Sequence, residues 1–442
     1  MKRGVGQSST WGTAWFAACG LALALAGCTE VVEVLTATAS SAGEPAGGAA
    51  AGVGGNGTLP RAGSGSGGAG AAQAGTGAEP SSGGAAEPDP ELALFIDSGD
   101  AHSCAARFGV LYCWGANIDG RLGVGDNLDR NAPARVGFDA DWVAVATGVA
   151  HTCALKQDGS VWCFGANTVG QLGQGNTVPS NLPRLVPLPR KAVQLSSEAN
   201  TACAVLDDGQ LYCWGRNWEG NIGLNDLHPG VDQLSPVRSG QQSDWSVTGT
   251  GDGHTCGVRG AGLLFGWGRN TAANLGLGQT SDQQRRSATQ IGTDEDWLSV
   301  VSGQDSSCGL RQGGKLFCWG GNSFGNLGLG DANQRLVPTQ VMPGHVWAQA
   351  SIDTFHGCGI DAEQNLFCWG RGIEGQLGTA DNAERLLPEL IGSGFAQVVV
   401  GRMSTCARTV DNRVLCCGEN AAGQLGLADN ERRNALTEVE FP

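Results

Sequence analysis

Sixteen cysteines and six histidines recur along this chain at spacings that could hold a metal, run a redox cycle or staple a fold. The segment "HTCALKQDGSVWCFG" (151–165) is typical, with Cys153 and Cys163 ten positions apart behind a histidine. Metal binding would need further ligands converging on one point, and a redox pair would favour C-x-x-C, a spacing absent from the sequence. A staple needs only that the two cysteines face each other. A three-residue hairpin loop Gln157-Asp158-Gly159, with glycine at the left-handed position, would close Lys156 on Ser160 and set Cys153 opposite Cys163. Three steps from the closing pair is a non-hydrogen-bonded site, where side chains approach most closely. Cys104 and Cys113 are one residue nearer, and a two-residue Phe108-Gly109 turn restores the same offset. The expected pairs are therefore Cys104–Cys113, Cys153–Cys163, Cys203–Cys213, Cys308–Cys318, Cys358–Cys368 and Cys406–Cys416, with reduced core cysteines as the competing reading. Cys256 faces a glycine, Gly266, and Cys417 stands where other units have tryptophan; both read as unpaired buried thiols.

Other patterns carry less chemistry. His102, His151, His254 and His356 share one place with Thr201, Ser306 and Ser404, which suits a strand-end hydrogen-bonder better than a catalytic base. Gly309-x4-Gly314-Lys315 resembles a phosphate loop, but Leu316 replaces the required hydroxyl residue. Gly63-x-Gly65-x-x-Gly68 lies in a low-complexity tract with no strand or helix around it. Asp126, Asp331, Asp381 and Asp429 close turns without the dense acidic spacing of a calcium loop. No catalytic residues, cofactor or metal site are expected.

The elements that position these residues repeat. Cys113, Cys163, Cys213, Gly266, Cys318, Cys368 and Cys416 each open a segment of the type "CWGANIDGRLGVGD", at intervals of 48 to 53 residues. Each unit reads as four short strands: an apolar run such as "WVAVATG", the two arms of the hairpin, and a brief Pro-containing strand such as "PARV" or "PTQV". Four strands in seven copies predict an all-β, seven-bladed β-propeller over residues 92–442, a closure that leaves only short, protected edges. The termini could latch the ring by pairing within one blade, though the phase of closure is not readable here.

The repeat resembles that of the regulator of chromosome condensation family, whose G-x-x-H-[ST]-x-A-L … W-G-x-N-x-x-G-Q-L-G pattern is matched from Gly148 to Gly173 with Phe164 for tryptophan. The resemblance implies a seven-bladed propeller. It also implies a binding role, since members serve as exchange factors for nuclear GTPases, as chromatin binders, and in bacteria as secreted β-lactamase inhibitors. The nuclear roles do not suit this chain. Its formal net charge of −15 argues against a nucleic-acid partner. Lys2, Arg3 and the short apolar run ending Leu25-Ala26-Gly27-Cys28 read as a secretory signal (residues 1–27) resembling a lipobox, with Cys28 as the lipid-bearing residue. Thr29 after that cysteine resembles the pattern sent to the outer membrane of a diderm cell. Residues 28–91, rich in Gly, Ala, Ser and Pro, read as a disordered tether with a reach of about 40 Å.

Most tryptophans fall on repeat positions and read as packing residues. Trp218 does not; it occupies a loop place held elsewhere by Ile118, Thr168, Thr271, Ser323, Ile373 and Ala421. It could anchor an interface or lie against its own blade. Trp218-Glu219, Ile118-Asp119 and Ile373-Glu374 are the candidate partner-binding pairs. The expectation is a lipid-anchored, extracytoplasmic scaffold for an extracellular protein or glycan, touching the membrane only through Cys28. An inhibitor of an extracellular enzyme is the second reading, and a propeller lyase or hydrolase the third.

Overall fold

The computed structural model describes residues 93–225 and 230–442; the signal segment, Cys28 and the Gly/Ala-rich tether lie outside the described residues. Those described form twenty-eight strands in seven four-stranded antiparallel sheets and no helix. The chain is a seven-bladed propeller, as expected.

Blade 1 shows the plan: β1 (Phe95–Ser98), β2 (His102–Arg107), β3 (Val110–Gly115) and β4 (Arg130–Arg135), in spatial order 1-2-3-4. The six others repeat it, from Trp142–Thr147 in blade 2 to Arg433–Val439 in blade 7. First strands pack against one another around the axis, and fourth strands form the rim. The second and third strands are almost wholly buried, because their apolar residues face a neighbouring blade on both sides.

The hairpins form as their sequences dictate. Lys156 N donates to Ser160 O at 2.9 Å, and Gly159 takes a φ of +85°. In blade 1, Phe108 (φ 51°) and Gly109 (φ 81°) make the two-residue turn, the primed type that fits strand twist. The half-cystines pair opposite each other, Cα–Cα 4.1 Å, and all six expected disulfides are present. Cys256 lies opposite Gly266, and both it and Cys417 are buried free thiols. Desolvation pushes their pKa values up to about 11 and about 12, which leaves them inert at neutral pH.

Ring closure differs from the idea of termini paired in one blade. Each blade is four consecutive strands, so the two termini sit in adjacent blades. The seam is closed by side chains, together with a backbone bond from Ala428 N to Asn131 O at 2.7 Å. Gln397 donates Nε2 to Ile96 O at 3.0 Å and accepts Ile96 N at 3.2 Å, a clasp also made by Gln349 on Val398 and Gln194 on Thr248. Phe441 then packs edge-on against Tyr112 and Trp114, with centroids 5.4 and 5.8 Å apart. A strand shared across the seam is unnecessary when the first and last blades meet through the same clasp as interior ones.

Candidate functional site

In each blade the turn after the first strand and the long loop after the third emerge on one face of the ring. An asparagine fixes that loop. Asn117 accepts Leu122 N at 3.0 Å through Oδ1 and donates Nδ2 to the carbonyls of Asp126 and Leu128 at 2.9 and 3.1 Å. Asn167, Asn322 and Asn420 repeat this pattern, while blade 6 has Gly372 instead. Backbone groups that a loop would otherwise leave unpaired are thereby satisfied, so the loops are rigid supports. The residue after the asparagine, or after Gly372, is exposed in all seven blades: Ile118, Thr168, Trp218, Thr271, Ser323, Ile373 and Ala421.

The structure places the candidate pairs on these tips. Ile118, Trp218 and Ile373 are 73%, 53% and 47% exposed. Trp218 has the Arg216 guanidinium of its own blade 4.6 Å from its ring centroid, and about half of the residue remains exposed. Asp119 pairs with Arg121 at 2.6 Å, and Glu219 accepts Gln284 Nε2 at 2.9 Å. Glu374 is buried, held by Arg371 at 2.7 Å and Gln376 at 3.0 Å, so it braces the loop tip beneath Ile373.

The histidines brace one blade against the next. His102 reaches Thr152 Oγ1 at 2.9 Å, His151 reaches Ser197, His254 reaches Ser307 and His356 reaches Thr405. Thr152 gives its own proton to Arg121 O at 2.8 Å, so the His102 bond is donated by Nε2–H. Burial holds His151, His254 and His356 down at about 3 and His102 well below its usual value, so all four are neutral. Asp126, Asp331, Asp381 and Asp429 each cap a turn and pair with the arginine four residues on, at 2.5 to 2.8 Å.

Sequence reasoning missed the centre of the face. The first residue of the G-x-x-[HST] turn is Gly99, Gly148, Gly251, Gly303 or Gly401 in five blades, but Glu198 in blade 3 and Asp353 in blade 6. Glycine is needed at the five because a Cβ would meet a neighbouring blade's backbone at 2.4 to 2.7 Å. Glu198 and Asp353 instead place carboxylates at the channel mouth, around a pocket of about 80 Å³ lined also by Asp100, Asp252, Gln304, Thr354 and Arg402. A second cavity, of about 100 Å³, continues down the axis past Asp97 and Glu198. Burial and then the nearby Asp353 push Glu198 well above the usual carboxylate range. Burial and then Asp100 raise Asp353 to about 6, and burial raises Asp97 to about 6 although Thr147 donates N and Oγ1 to it at 2.6 and 2.8 Å. The signal was present in the glycine column, but nothing local says that this column faces the axis.

Models of the regulator of chromosome condensation repeat match residues 109–155, 158–205, 313–352 and 363–408, and a second model of that repeat matches 142–171, 193–220 and 297–326. The matched blades are regulator of chromosome condensation repeats. The Ultraviolet-B receptor UVR8 of Arabidopsis thaliana is 31% identical over 249 residues, 56% of this chain and 45% of that protein. The probable E3 ubiquitin-protein ligase HERC4 of Homo sapiens is 38% identical over 87 residues, 19% of this chain and 8% of that protein. The chain thus spans less than half the length of these curated relatives. Human WBSCR16 superposes with a TM-score of 0.68 at 22% identity, covering 75% of this chain and 94% of that one. Yeast Prp20, solved bound to Kap60, gives 0.67 at 22% identity, covering 75% and 83%. At such identity these two structures speak for the fold alone.

Proposed function

We propose that this protein is a lipid-anchored, extracytoplasmic binding scaffold that offers the loop face of its propeller to a protein or glycan. The observation that carries the reading is the ring of seven exposed tips on rigid supports, with Trp218 half open among them. A rigid aromatic on a pre-organised loop gives contact area at little entropic cost. Six buried disulfides favour an oxidising compartment. Leu25-Ala26-Gly27-Cys28 supplies the anchoring signal and residues 28–91 the tether. Regulator of chromosome condensation propellers act typically as protein-binding scaffolds, which agrees with a binding rather than a catalytic role.

The anchor is tested by expressing the chain and a Cys28→Ala variant in a diderm bacterium, then fractionating cells and weighing the N-terminal peptide. The expected result is wild type with the membranes, its peptide beginning at acylated Cys28, and a variant lacking the modification. An unmodified Cys28 in a chain that stays in the soluble fraction would overturn the anchor.

A further inference from the structure

The mouth of the channel is not matched in charge. Arg402 pairs with Asp100 at 3.3 Å and Arg216 with Asp252 at 3.1 Å, so each local guanidinium already has its carboxylate. Asp353 is 6% exposed, and a hydroxyl reaches only its Oδ1, from Thr354 at 3.1 Å. Glu198 lines both the mouth pocket and the cavity beneath it, and among the described residues no side chain donates to it or pairs with it. It is enclosed by the ring yet open to the channel, surrounded by Asp353, Asp100 and Asp97. Two acids that displace the glycine of the repeat, repel each other and have near them only Arg402, whose guanidinium is already paired with Asp100, are costly to the folded state. That cost is expected where a ligand supplies the missing charge.

The ligand's size and class follow. Among the described residues no three His, Cys, Asp or Glu side chains stand where they could hold a metal ion. Cavities of about 80 and 100 Å³ admit the end of a side chain but not a folded element. An ammonium or guanidinium on a flexible stem fits both conditions and forms charge-assisted bonds to carboxylates.

We propose that the channel mouth is a receptor for one basic side chain, a lysine or arginine presented by a loop of a partner protein, with Glu198 and Asp353 as its counter-charges. This rests on the loop-face reading and narrows the partner to a protein with an exposed basic residue. The tips around Trp218 would hold the surrounding surface while the mouth takes the charge.

The test is calorimetric titration of the full-length chain with capped pentapeptides Gly-Gly-Lys-Gly-Gly and Gly-Gly-Arg-Gly-Gly, beside the Nζ-acetyl-lysine form. The expected result is binding of both cationic peptides, weakened about tenfold or more by acetylation and by Glu198→Gln/Asp353→Asn. Asp139→Asn, a carboxylate paired with Lys156 at the opposite end of the ring, serves as the charge control and should change nothing. Thermal melts monitor folding; if the double variant does not fold, Glu198→Gln alone carries the comparison. No binding by either cationic peptide, or equal binding by wild type and the mouth variant, would overturn the proposal. Such a failure would leave the loop-face reading standing, because that reading is tested at Trp218.

Discussion

The thiol of Cys417 donates to Gln376 O at 3.5 Å, in the place where the indole of Trp369 donates to Asn326 O at 2.8 Å one blade earlier. The two carbonyls are not equally dependent on that donor. Gln376 O also accepts Thr405 Oγ1 at 2.8 Å, whereas Gly357 fills the equivalent place in blade 6 and brings no hydroxyl to Asn326. Trp369→Phe therefore strands a buried carbonyl and should cost about 1–3 kcal/mol. Cys417→Ala removes a weak donor from a carbonyl already served and should cost less, about 1 kcal/mol. Denaturant unfolding of the two variants checks the order; a larger loss for Cys417→Ala would contradict it.

Gly266→Cys should install a seventh staple. Cys256 and Gly266 are in the same register as the six disulfide pairs. A Cβ at Gly266 would meet the terminal methyls of the buried Ile291 and Leu275 at 3.0 and 3.2 Å and Leu275 Cβ at 3.5 Å, with no backbone among these contacts. Oxidised protein should lose the Cys256 thiol and gain about 1–3 kcal/mol, less than an open loop would give because the hairpin already closes it. Thiol titration and thermal melts read both effects. An unreacted Cys256 or a lower melting temperature would show that the site cannot absorb the bridge.

These local features were legible because hairpin geometry is local. Gln157-Asp158-Gly159 and Phe108-Gly109 fix which residues face each other without reference to the rest of the chain. Trp218 was legible for a similar reason, as the aromatic that breaks one column of the repeat. Glu198 and Asp353 break another column, but their meaning depends on the axis, which exists only when seven blades close. The closure itself was illegible: Gln397 and Ile96 are 301 residues apart, and their clasp is a side-chain contact that no strand pattern records.

Acid should affect the wild type less than a variant without the mouth acids. His151, His254 and His356, held at about 3, and His102, held well below its usual value, remain neutral in the fold, while the unfolded chain protonates them below about 6.5. Stability therefore falls with acid through that window. Asp97 and Asp353 at about 6, and Glu198 well above its usual range, act in the opposite sense. The native state protonates them before the unfolded chain does, so their contribution rises as pH falls through about 6 and is lost as pH rises again. Glu198→Gln/Asp353→Asn removes most of that opposing contribution. Melting curves should show a steeper loss between about pH 7.5 and 5.5 for the variant, and a variant more stable than wild type at about pH 7.5. Parallel profiles would contradict the assignment.

Binding at the loop face can be read by affinity capture from the envelope and secreted fractions of the parent organism. Oxidised full-length chain would be the bait, beside Trp218→Ala and Glu198→Gln/Asp353→Asn. A partner should be retained by wild type and its retention weakened at least about tenfold by Trp218→Ala, the loss typical of a central aromatic anchor. Equal retention by all three baits would place the contact elsewhere on the molecule and contradict the claim.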